Sequence, residues 1–148
     1  MDLFINAALV ATSVVLFCYW FRYSCLLILA TETLHDYSEE VAEANQLSFP
    51  EVRSKLRRRD APDLDSLHKS LERDFAVIAY LLENTPATSL DPGFEDAILK
   101  IHFCTLSACF HLTRNNLREL ASDALEEMSL VVAHLANQLG ERSAVPAR

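Results

Sequence analysis

Nineteen residues, Leu3 to Phe21, form an apolar run broken only by Asn6, Thr12 and Ser13. About 20 such residues cross a hydrocarbon core of roughly 30 Å as an α-helix, since in lipid every backbone N–H and C=O must be satisfied within the segment. This run constrains the chain more than any other feature. It calls for a bilayer, and it leaves the rest of the 148 residues enough length for one small domain. Tyr19, Trp20 and Tyr23 cluster at its C-terminal end with Arg22 among them. Amphipathic aromatics favour the headgroup level, which sets the interface near residues 19–23.

Past this interface lies a second apolar strip, "CLLILA", Cys25 to Ala30. If the hydrocarbon ends near Arg22, the strip emerges uncovered. If the hydrocarbon extends to Ala30, Arg22 is buried at a cost of roughly 2.5–3.5 kcal/mol unless a partner carboxylate meets it. A neighbouring integral membrane protein, or self-association through this helix, satisfies either placement. Trp20, Arg22, Tyr23, Leu26 and Leu27 are therefore expected to meet lipid or a protein partner.

A cleaved signal peptide fits poorly. The charge ahead of the run is Asp2, Arg22 falls inside the apolar region, and small residues are missing at a cut site. The run reads as an uncleaved single-pass anchor over residues 1–30. No Lys or Arg precedes it, whereas Arg22 and then "RSKLRRR" follow, so the C-terminal domain is expected in the cytoplasm.

The chain holds only two glycines, Gly93 and Gly140, and five prolines. With so few breakers and much Leu, Ala and Glu, the expected fold is all-α. Neither GxGxxG nor GxxxxGK[ST] occurs, so no phosphate-cradling loop is expected. Of the 13 Lys/Arg and 21 Asp/Glu, all but Arg22 and Asp2 lie beyond residue 30, leaving that portion with a net charge of −8. Such a surface repels phosphate, and no nucleic-acid partner is expected. No CxxC is present, and Cys104 and Cys109, in apolar surroundings, read as inert core thiols.

No Gly or Pro interrupts residues 1–49. The spanning helix is expected to continue through residues 31–47, with Leu34, Tyr37, Val41 and Ala44 on one stripe. A bundle over residues 48–140 follows. "SFPE", Ser48 to Glu51, has the form of a capping box and starts a short helix ending near Arg59. Asp60 and Pro62 are expected to open the next helix, whose residues Leu64, Leu67, Leu71, Phe75, Ile78 and Leu82 step by three and four. Asp91 and Pro92 are expected to start another. Residues 94–139 read as two antiparallel helices turned at Asn115-Asn116, with one long helix as the alternative. The first is apolar nearly all round; the second carries Leu117, Leu120, Ala124, Met128, Val131, Leu135 and Leu139. Gly140 is expected to end the domain, with residues 141–148 a flexible tail.

Few residues suggest chemistry. Glu32-x-x-His35 and Asp65-x-x-His68 place a carboxylate and an imidazole on one helix face, as in bundles that hold iron or manganese. Two further inward carboxylates would be needed, and none sits on an apolar stripe. His102, His111 and His134 are the histidines a haem or pigment would use, but CxxCH is missing. No metal, cofactor or catalytic residue is therefore assigned. Arg53, Lys55, Arg57, Arg58 and Arg59 put five basic residues in seven; near a membrane they would hold anionic headgroups at about 1 kcal/mol each. The same run also suits a helix C-terminus beside Asp60, Asp63 and Asp65.

The resulting expectation is a non-catalytic accessory or scaffold subunit of a larger membrane complex. The alternatives are a membrane-anchored bundle holding metal, haem or pigment, and a membrane-anchored signalling or adaptor module.

Overall fold

The computed structural model describes residues 1–31, 35–58, 63–85 and 92–144, with the side chains of Asp2 and Pro92 excepted. Among these residues the fold is all-α. Six helices follow in order: α1 (Asp2–Leu29), α2 (Ser38–Ala44), α3 (Phe49–Arg57), α4 (Leu64–Asn84), α5 (Pro92–Thr113) and α6 (Arg118–Ala144). The chain divides into two compact units, Met1–Glu32 and Thr33–Arg148.

The first unit is α1. Its 27-residue stretch Leu3–Leu29 is long and apolar enough to cross a membrane, and the most apolar window within it has none of its residues buried. That exposure separates it from the core helix of a soluble domain. Its hydroxyls turn inward on the helix: Thr12 Oγ1 donates to the Ala8 carbonyl at 2.8 Å and Ser24 Oγ to the Trp20 carbonyl at 3.0 Å. Polar side chains satisfied in this way are tolerable in lipid. Thr31 Oγ1 closes the helix by donating to the Ile28 carbonyl at 2.6 Å.

The expected continuation of this helix through residues 31–47 does not form. α1 stops at Leu29 and a separate helix begins at Ser38. Two polar groups explain the new start. Asp36 Oδ1 accepts the Ser38 N–H at 2.9 Å, and Asn137 Oδ1 of α6 accepts the Tyr37 N–H at 2.7 Å. An amide taken by a tertiary partner is lost to a helical ladder, which local propensity does not foresee. Glu39 and Glu40 then sit in the first turn, where the helix dipole favours them. The helix ends in a Schellman turn, with Leu47 N–H on the Ala42 carbonyl and Gln46 N–H on the Glu43 carbonyl. Gln46 occupies the left-handed position at φ 53° that glycine usually fills.

Ser48 does not complete a capping box. Its N–H and hydroxyl both donate to Asp74 Oδ2, at 2.6 and 3.0 Å, pinning the start of α3 to α4. Phe49, Val52 and Leu56 of α3 turn into the core. α4 is capped by Asp63, whose Oδ1 accepts from the Asp65 and Ser66 amides. Asp60 and Pro62, expected in that role, lie outside the described residues, as does Asp91 before α5.

The turn at Asn115-Asn116 forms as expected, with the Leu117 and Asn116 amides on the Thr113 carbonyl. The helices it joins are antiparallel: His102 meets Glu127 near the turn, and Asp96 meets Arg142 far from it. α4 and α5 are antiparallel by the same logic, through Asp65–Arg114, Phe75–Phe103 and Glu83–Lys100.

α6 is the central helix, packed by α2, α3, α4 and α5. Leu125, Met128, Val131, Val132 and Leu135 are fully buried on it. Leu117 and Leu120, expected on the same stripe, are instead half exposed. Gly140 does not end this helix, which runs to Ala144. A Cβ at position 140 would overlap Tyr37 Cβ, so the glycine serves close approach of the α2 entry rather than termination.

Candidate functional site

Four side chains from α4 and α5 converge on one point. His68 and Glu72 are one turn apart on α4, and Ser107 and His111 are one turn apart on α5, so each pair shares a helix face. His68 is buried; its ring stacks flat on Phe110 at 4.5 Å and meets the edge of His111 at 4.9 Å. His68 Nε2 lies 2.9 Å from Ser107 Oγ and 3.7 Å from Glu72 Oε1. Ser107 Oγ donates to that same carboxylate oxygen at 3.3 Å. One ligand atom from each of His68, Glu72 and His111 lies within 4.8 Å of the others. Burial pushes the His68 pKa down, against an upward pull from Glu72 and Asp65 and with a further downward push from His111. Burial thus favours the neutral form of this imidazole.

This geometry is not a nucleophile relay. In a relay the carboxylate holds the ring nitrogen remote from the hydroxyl. Here Glu72 approaches the nitrogen that already faces Ser107. The groups converge instead of forming a chain.

Of the carboxylate–imidazole pairs noted in the sequence, Asp65–His68 lies among the described residues, and its two side chains turn to different partners. Glu32 lies outside the described residues. His35 is exposed, with Nε2 3.6 Å from Glu40 Oε1. Asp65 Oδ1 takes Arg114 Nη1 at 2.8 Å, and His68 turns to Glu72 and His111. The partners on α5 were missed because they lie 39 and 43 positions away; the i, i+4 pairs His68/Glu72 and Ser107/His111 were the available signal. His102, His111 and His134 each have separate surroundings. His102 Nε2 is 2.8 Å from Glu127 Oε1 inside the bundle, and His134 faces Gln138.

The described members of the basic run differ in their surroundings. Arg53 is half-buried and beside Asp36, whose carboxyl is held below its usual range first by Ser38's hydrogen bonds and further by Arg53. Lys55 pairs with Glu51 at 2.7 Å. Arg57 and Arg58 are exposed, and Arg59 lies outside the described residues. On α1, Trp20, Tyr23, Leu26 and Leu27 are exposed, as is Arg22.

A second feature is the outward side of α5. From Ala97 to Leu112 its exposed positions are Ala97, Ile101, Cys104, Thr105, Ala108, Cys109, His111 and Leu112, with no Lys, Arg, Asp or Glu among them. Cys104 and Cys109 thus lie on the surface as free thiols, not in the core as their apolar setting suggested. The helix is apolar all round, so composition alone does not say which side is inside. The chain matches no protein-family profile, no curated protein and no solved structure.

Proposed function

We propose that this protein is a non-catalytic accessory subunit, anchored in a membrane by α1, whose helical bundle docks on an integral membrane protein through the outward side of α5. The observation that carries this reading is the uncharged strip from Ala97 to Leu112, in which Ile101 and Leu112 are 57% and 81% exposed. A solvated helix in an acidic domain would carry charge on that side. An exposed apolar side of this kind suits a helix of a partner. The exposed aromatic and aliphatic residues at the end of α1, Trp20 to Leu27, support a second contact within or beside the bilayer. The Lys/Arg asymmetry about α1 supports a cytoplasmic bundle, where the exposed Lys55, Arg57 and Arg58 would meet anionic headgroups.

The test is purification of the tagged full chain from its native membrane in mild detergent, alongside I101E and L112E. The expected result is an integral membrane protein that co-purifies in fixed ratio with the unaltered chain and is lost from both variants, with their melting temperatures unchanged. A chain that emerges alone, or a partner held equally well by both variants, overturns the reading. A soluble partner lost from the variants points instead to an adaptor.

A further inference from the structure

We propose that His68, Glu72 and His111 form a divalent transition-metal site, fitted to Zn²⁺, which staples α4 to α5. This goes beyond the docking reading and does not depend on it.

The donor set is two imidazoles and one carboxylate. Zn²⁺ accepts that combination with one position left open. Softer thiolate-preferring ions find no sulfur at this point, and all-oxygen ions find too few oxygens. The donors come from two helices, the i, i+4 pair His68 and Glu72 from α4 and His111 from α5. Their ligand atoms lie within 4.8 Å of one another. Tetrahedral donors about 2.1 Å from zinc are roughly 3.4 Å apart, so the widest pair must contract by at most about 1.4 Å. The residues that must move are the exposed ones: Glu72, 48% exposed at its side chain, and His111 at the surface. His68 is already held by the Phe110 stack and stays in place. Ser107 Oγ, 2.9 Å from His68 Nε2, is poised at the remaining position or to orient a water there.

The placement explains what a metal would do. α4 and α5 both pack on α6 but meet each other through side chains: Asp65–Arg114, the His68 cluster, Phe75–Phe103 and Glu83–Lys100. An ion held by donors from both helices locks their register. Binding only the folded state, it also raises stability in proportion to its concentration.

The nearby surface thiols Cys104 and Cys109 are an alternative source of metal binding, and the experiment separates them. The full chain in detergent is titrated with Co²⁺, followed by competition with Zn²⁺ and melting with and without zinc. The expected result is one equivalent bound, with visible d–d bands of four-coordinate cobalt and no sulfur-to-metal charge-transfer band. E72Q and H111A, both altered at exposed positions and expected to fold, should each weaken Zn²⁺ binding by at least about 10-fold, the lower end of the effect of losing even an outer-shell partner. They should also abolish the rise in melting temperature. C104S/C109S should bind as the unaltered chain does. Failure of the unaltered chain to bind one equivalent overturns the proposal. So does binding that survives E72Q and H111A, or binding that is lost in C104S/C109S.

Discussion

Tyr37 and Gly140 show how a single residue decides a packing arrangement. The α2 entry lies so close to α6 that only a hydrogen fits at position 140, with Val41 Cγ2 also 3.3 Å from where a Cβ would stand. Two effects oppose each other in Gly140→Ala. Alanine is better than glycine in a helix interior by about 1 kcal/mol. Overpacking against Tyr37 costs typically 1–3 kcal/mol, and the obstructing atom is a Cβ that cannot swing away. The second effect wins, and a net loss of about 1 kcal/mol is expected, read as a fall of several degrees in melting temperature. A rise on the same substitution would mean the helices can part without cost. Asn137, three residues earlier on α6, completes the contact by accepting the Tyr37 N–H. Read from sequence, Gly140 looked like a helix stop. The same lack of a side chain serves both purposes, and nothing local to the residue separates them.

At the level of elements, the long periodic helices were legible and their partners were not. α4 follows the three-and-four stepping of Leu67, Leu71, Ile78 and Leu82, and α5 and α6 turn at the two asparagines. These features are set by local periodicity and local turn chemistry. The break before Ser38, the loss of the Ser48 capping box to Asp74 and the grouping of His68 with His111 each depend on a residue far away in the chain. The α5–α6 pair also carries a pH response. His134, on α6, is buried enough to hold its pKa below the ordinary 6.5, against upward pulls from Glu95, Glu141 and Asp96, two of which belong to α5. The unfolded chain therefore takes up this proton before the folded one does. Stability is unaffected by His134 while both states are neutral, above the ordinary value. It falls as pH drops below about 6.5, until the folded-state pKa is reached. His134→Gln removes that contribution. Melting curves between pH 7 and 5 should decline less steeply in the variant than in the unaltered chain. Identical slopes would show that the imidazole is as well solvated folded as unfolded.

For the molecule as a whole, the N-terminal unit holds the one stretch among the described residues that is long and apolar enough to cross a membrane. The most apolar window of α1 has none of its residues buried, and the Thr12 hydroxyl is satisfied by its own helix. In water this would be an aggregating surface; in a bilayer it is a stable span. Val14 lies near the middle of Leu3–Leu29 and is 55% exposed. An arginine there has no nearby interface to reach by snorkelling. On insertion scales a central arginine costs about 2.5–3.5 kcal/mol where valine is favourable. Val14→Arg should therefore shift the protein from the carbonate-resistant membrane fraction to the soluble or aggregated fraction. The same change leaves the bundle's own core untouched, since none of Leu71, Phe110, Leu125 or Met128 lies in the N-terminal unit. The bundle's melting temperature in mild detergent should match that of the unaltered chain. Full membrane retention of Val14→Arg would show that something other than burial of α1 in hydrocarbon holds the protein there, and the anchor reading would fall with it.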